Sequence, residues 1–194
     1  MIDLTGIAFL DFEASSLGKH GYPIEVAWVF ATGEEESHLI RPAEAWTDWA
    51  ADAEAVHGIT RDRLIADGAS VEDVANRMVA ALTGHSLYAT APSWDGQWLS
   101  KLLRAAGLPR HSLRLQDTDV AHQEAATDVL RAAGVSAHLH EGLLREILAG
   151  AKRRDEELGA PEHRALADAK RERQLWQDIR RRAEDVAARF GHSA

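Results

Sequence analysis

The 194-residue chain has no cysteine, which excludes disulfides and thiolate zinc sites. No run of eighteen apolar residues occurs, so no membrane span is expected. Met1-Ile2-Asp3-Leu4 lacks a basic stretch leading into a long apolar run, so no secretory signal is expected. Internal repeats and low-complexity segments are absent too. A single domain over residues 1–194, with a sizeable core, fits this length. A cytoplasmic location is the expectation. Positive charge is also scarce: the net charge is −9. That argues against general coating of nucleic acid. The deficit is uneven. Residues 1–100 carry 16 acids and 5 bases, whereas residues 101–194 carry 15 acids and 17 bases. The late basic residues alternate with acids, as on a solvated helix face.

Against this background, Phe9-Leu10-Asp11-Phe12-Glu13 stands out. It reads as the end of a buried strand. Strand side chains alternate, so Ile7, Phe9, Asp11 and Glu13 share one face, and Ala8, Leu10 and Phe12 the other. Both faces are apolar until two carboxylates appear on one of them. Like charges there repel and lose hydration. A divalent ion between them relieves both costs, and carboxylate oxygens suit Mg²⁺ or Mn²⁺. The plainer alternative is a strand that ends in solvent with two surface acids.

Short turns then join a second strand, Ile24 to Ala31, and a third, Ser37 to Arg41, which suggests an antiparallel meander. Beyond Pro42 the pattern is helical. Trp46 and Trp49, three apart, fit a helix that either packs on the sheet or stacks on a single strand. Val71 to Leu82 has helical apolar spacing. Leu87 to Ala89 is a short strand, followed by a helix from Trp94 to Ala106 with Trp94, Trp98, Leu99, Leu102 and Leu103 inside. Leu113 to Leu115 is another short strand. Asp119 to Leu130 and Ala137 to Leu148 are helices. The latter fits the core or a second subunit equally, so a homodimer stays open. Ala160-Pro161 opens a last helix running to about Phe190. A meander followed by strand–helix alternation means α/β, with a mixed sheet flanked by helices.

Two further acids sit on apolar helix faces. Asp95 lies in the first turn of its helix, just after a strand, where α/β sheets place their sites. A helix N-terminus also favours an acid for purely structural reasons. Asp168 precedes Leu175 and Ile179 by seven and eleven residues, which places it on their face. His163 lies five residues before Asp168, near the proposed helix start, where it can turn toward the same cavity.

Taken together these residues resemble the motifs of the DEDDh 3′–5′ exonucleases, the superfamily of proofreading exonucleases, ribonuclease T and oligoribonuclease. The resemblance runs from Ile7 to about Trp176. Phe9 to Leu17 resembles the first motif. Trp94-Asp95-x₂-Trp98-Leu99 resembles the second, usually Phe-Asp-x-x-Phe-Leu. His163-Arg164-Ala165-Leu166-Ala167-Asp168-Ala169 resembles the third. Val56-His57-Gly58-Ile59-Thr60 matches another shared segment. Two positions depart from the pattern. Ala91 stands where Asn is frequent and Ser16 where Gly is usual; both bear on how a terminal sugar and base are held.

The resemblance implies a ribonuclease H-like fold, with Asp11, Glu13, Asp95 and Asp168 holding two Mg²⁺ or Mn²⁺ ions and His163 as general base. It implies a partner, the 3′ end of single-stranded DNA or RNA, and release of nucleoside 5′-monophosphates. By the same analogy Leu17 wedges against the terminal base, Ser15 meets the sugar or phosphate, and His57 lies in the substrate site. Base recognition by stacking is expected to tolerate sequence. Two other readings remain: a non-catalytic nucleic-acid-binding or regulatory module on this fold, and a small-molecule metal hydrolase.

Overall fold

The computed structural model describes residues 6–190, so the expectation for Met1 to Leu4 lies outside the described residues. The chain folds around β1 (Ile7–Ala14), which pairs antiparallel with β2 (Pro23–Phe30) and parallel with β4 (Ser86–Ala89). β3 (Glu35–Leu39) adds antiparallel to β2, and β5 (Leu115–Asp117) parallel to β4. The sheet order is β3-β2-β1-β4-β5. This is the mixed sheet expected, with the meander on one side.

β1 is central because both its faces are apolar. Ala8, Leu10 and Phe12 join Ile24, Val26 and Trp28 under α3 (Val71–Leu82) and α4 (Pro92–Ala105). Phe9 points the other way, against Tyr88 and Trp176, where α5 (Thr118–Ala132) and α7 (Ala165–Phe190) cover the sheet. α6 (Ala137–Glu157) packs on α5 and α7 through Ile147 and Ala151. Its apolar face is thus used within the chain. Burying a large apolar side chain such as Leu10 stabilises by about 1.5–3 kcal/mol, so the opening strand is pinned from both sides.

Several elements differ from the sequence reading. The last helix starts at Ala165, four residues beyond Pro161. Residues 161–164 are irregular because Ala165 is anchored from outside the helix, as described below. Trp46 and Trp49 lie on no helix. Trp46 instead stacks on Tyr22 at 5.2 Å, and Trp49 Nε1 donates to Glu54 at 2.6 Å. Two short helices follow, α1 (Ala51–His57) and α2 (Arg61–Asp67). The strand expected at Leu113 begins at Leu115, and α6 runs nine residues past Leu148. Trp94, expected inside, is 41% exposed. Among the described residues no helix is long and apolar enough to cross a membrane.

Candidate metal centre

β1 and β4 stay paired only from Ile7 to Phe9. Beyond Phe9 the β4 chain leaves for α4, and a crevice opens at the strand ends, where α/β folds bind ligands. Asp11 and Glu13 emerge into it. The register with β2 shifts between Glu13 and Ala14, an irregularity of the kind that re-aims side chains beside sites.

α4 begins with Pro92, whose fixed φ suits a helix start. Asp95 sits in its first turn, 4% exposed. Its carboxylate is held by backbone bonds at Ala91 and Phe12. The Phe12 bond ties α4 to the unpaired edge of β1.

Asp168 is placed by a residue the sequence reading missed. Glu25 on β2 is 2% exposed and sits opposite Glu13 in the ladder. It accepts from Arg164 Nε at 3.1 Å, from Arg164 Nη2 at 2.7 Å and from the Ala165 N–H at 3.0 Å. A strand carboxylate thereby caps the start of α7. The fork-shaped contact suits a guanidinium. Asp168, one turn on, then faces Asp11 and Glu13. One oxygen from each of these three carboxylates lies within 4.8 Å of the others. Asp168 Oδ1 also accepts from the Glu162 N–H at 3.2 Å, which holds the 161–164 loop.

The crowding shows in the acidities. Burial, then the charges of Asp95, Glu13 and Asp168, push Asp11 well above the usual carboxylate range. Burial, then Asp168 and Glu25, raise Glu13 to about 7, although Arg164 opposes this. Burial alone raises Asp95 to about 7 against its backbone bonds. Three hard-oxygen donors this close, with Asp95 beside them, fit a divalent oxygen-seeking ion. Asp11, Glu13, Asp95 and Asp168 are the residues that would hold it.

The cleft encloses about 690 Å³, within the range of ligand sites. His163 lines it, exposed, with φ 54°. That left-handed backbone is uncommon for a residue other than glycine and suits a functional loop. Leu17 lines it too, 70% exposed, with Val56 and Trp94. Three large apolar side chains left exposed around one cleft mark a binding surface. Trp94 stacks on Trp98 at 6.0 Å.

His57 lines the cleft although only 4% exposed. Gly58 takes φ 66° at the end of α1, so the chain turns back and the Ile59 N–H donates to His57 Nδ1 at 3.0 Å. Burial pushes the His57 pKa down. The neutral ring therefore carries its proton on Nε2, which has no partner.

Ser15 does not reach the cleft. It is fully buried, and its hydroxyl accepts from the Tyr22 N–H at 3.1 Å. Its neighbour Ser16 lines the cleft and donates to Asp48.

No protein-family model matches the sequence, and no match to a curated protein reaches significance. Solved structures do match. A zinc-bound E. coli ExoI–ssDNA complex aligns at TM-score 0.64 and 17% identity, over 95% of this chain and 42% of that one. The E. coli exonuclease I complex with a dA16 oligonucleotide gives 0.62 at 17% identity, over 93% and 42%. A moderately thermophilic exonuclease I from Methylocaldum szegediense gives 0.52 at 13%, over 61% and 29%. The chain has the ribonuclease H-like fold of exonuclease I. It spans less than half the length of those exonuclease I chains.

Within this exonuclease I fold, β1 delivers two acids and α4 and α7 one each to one crevice. The sequence did hold a signal for Glu25. A single acid interrupts the apolar run Ile24 to Phe30, and a carboxylate buried there needs a partner.

Proposed function

We propose that this chain is a metal-dependent 3′–5′ exonuclease that hydrolyses phosphodiester bonds at the 3′ end of single-stranded DNA or RNA and releases nucleoside 5′-monophosphates. The observation that carries this reading is the meeting of Asp11, Glu13 and Asp168 within 4.8 Å. Asp95 is buried beside Asp11 at the head of an open cleft. The shared fold with exonuclease I adds support.

The four carboxylates would hold two Mg²⁺ or Mn²⁺ ions. When bound, the ions supply Lewis acidity and charge neutralisation at a phosphoryl group. His163, on its exposed loop, takes the proton of the attacking water. Leu17, Val56 and Trp94 receive the terminal bases by stacking and apolar contact, which tolerates sequence. His57, whose ring lines the cleft with Nε2 buried, backs the wall against which the terminal nucleotide lies. Ser15 acts indirectly, by tying the chain after β1 to Tyr22 and Ala50.

The test is incubation with 5′-labelled single-stranded DNA and RNA in Mg²⁺, Mn²⁺ or EDTA. The reading expects a ladder shortening from the 3′ end, abolished by EDTA and by Asp11→Ala. Binding without turnover in either metal would instead identify a non-catalytic nucleic-acid-binding module.

A further inference from the structure

Leu17 lies in the loop between β1 and β2, 70% exposed, and lines the cleft. Its exposure adds nothing to folding, yet the loop that carries it is closely tied. At the base, the Ser15 N–H donates to the Tyr22 carbonyl at 2.9 Å, and the Tyr22 N–H returns a bond to Ser15 Oγ at 3.1 Å. Two distant parts of the chain then hold the loop itself. The Ser16 hydroxyl donates to Asp48 and accepts from the Gly18 N–H at 3.1 Å. The Lys101 ammonium donates to the His20 carbonyl at 3.1 Å and to the Gly21 carbonyl. Gly21 sits so close that a Cβ there would run into the Ser16 carbonyl. Lys101 is one turn past Trp98 on α4, the helix that brings Trp94, Asp95 and Trp98 to the cleft. Burial pushes the Lys101 pKa down, and the Asp48 charge opposes this. An ammonium partly withdrawn from water is a costly tie for a surface loop.

We propose that Lys101 and Asp48 are positioning residues that hold Leu17 as a fixed wedge, and so set the gap that receives the end of a single strand. Neither residue lines the cleft, so both act through Leu17 and not by touching the strand. On a loose loop, Leu17 would gain by collapsing onto Val56 or Trp94, the other exposed apolar groups of the cleft. The ties keep it standing. A wall already in place spares the strand the cost of ordering it. Ser16 stands where Gly is usual in the motif it resembles, and its hydroxyl is what links the loop to Asp48. This inference rests on the proposed function only in taking the guest to be a nucleic-acid strand.

The test is the affinity of fluorescein-labelled oligo-dT for the full chain in EDTA, read by anisotropy. Leu17→Ala should weaken binding by about tenfold. Lys101→Met and Asp48→Ala should each weaken it by about three- to tenfold, and Lys101→Arg should recover most of the loss. In the Leu17→Ala background the same two substitutions should cost less than about twofold more, because their effect passes through Leu17. The Leu17 amide order parameter should fall below about 0.6 in Lys101→Met. If Lys101→Met fails to fold by circular dichroism, Asp48→Ala carries the cycle and the order parameter. Losses that add fully to that of Leu17→Ala, or a Leu17 amide equally rigid in the variants, would overturn the proposal. Affinity in EDTA is read without turnover, so failure of the nuclease reading would show in the labelled ladder and not here.

Discussion

Glu25 grips Arg164 across 139 residues of chain, through Nε at 3.1 Å and Nη2 at 2.7 Å. The same carboxylate caps Ala165, so the start of α7 and the strand beside β1 are one rigid joint. Glu25→Ala removes three hydrogen bonds to a charged group. Arg164 is 38% exposed and regains water, so the loss is expected near 2 kcal/mol. For a domain of this size that lowers Tm by roughly 4–8 °C. Mg²⁺ or Mn²⁺ affinity should fall as well, because Asp168 is no longer held against Glu13. A Tm change with unaltered cation affinity would show that Glu25 does not position Asp168.

The acid cluster makes stability depend on pH and on cations. Asp11 is raised well above the carboxylate range, and Glu13 and Asp95 to about 7. Unfolded carboxylates titrate near 4. The folded chain therefore holds these protons more tightly. The stability they contribute is complete below about pH 4 and is lost as pH rises through about 7. In EDTA the part of the melting profile due to this cluster should fall between pH 5.5 and 8, and Mg²⁺ or Mn²⁺ should restore much of it at pH 8. Asp11→Asn should raise the metal-free Tm at pH 8, by the equivalent of about 1–2 kcal/mol, while abolishing turnover. A metal-free Tm at pH 8 unchanged by Asp11→Asn contradicts the account.

His163 combines an imidazole with an unusual backbone, φ 54°. His163→Asn separates the two, because asparagine tolerates this conformation. The melting curve should stay where it is while turnover drops by about 10²–10⁴-fold. A rate equal to that of the unsubstituted chain removes His163 as the base.

Trp94 presents its indole to the cleft and stacks on Trp98. Trp94→Ala should weaken binding of an oligo-dT strand by about 1–3 kcal/mol. Trp94→Phe should recover most of the loss. In the unsubstituted chain, oligo-dT added in EDTA should quench tryptophan fluorescence, and Trp94→Ala should reduce that quench. Equal affinity in all three proteins would place the strand elsewhere.

Much of this site was legible because its signals are local and periodic. The alternation in β1 put Asp11 and Glu13 on one face, and helical counting put Asp95 and Asp168 on inward faces. Contacts distant in sequence were not legible. Pro161 looked like a helix start, but the start is fixed at Ala165 by Glu25. Trp46 and Trp49 had helical spacing, but Trp46 was already committed to Tyr22. Trp94 fitted the buried stripe of α4, yet it is the residue at which the stripe meets the cleft. Analogy gave Ser15 to substrate through backbone or hydroxyl, whereas its buried hydroxyl accepts from the Tyr22 N–H.

The turn at Gly58 has a consequence for selectivity. By returning the Ile59 N–H to His57 Nδ1, it freezes the imidazole in one tautomer. The ring then holds one fixed proton donor just behind a wall of the cleft well apart in sequence from its acids, and the donor needs no pH change to be ready. Under the proposed function, a guest whose acceptor atom reached that N–H would be rewarded, and an isostere bearing a donor or a methyl group there would leave it unanswered.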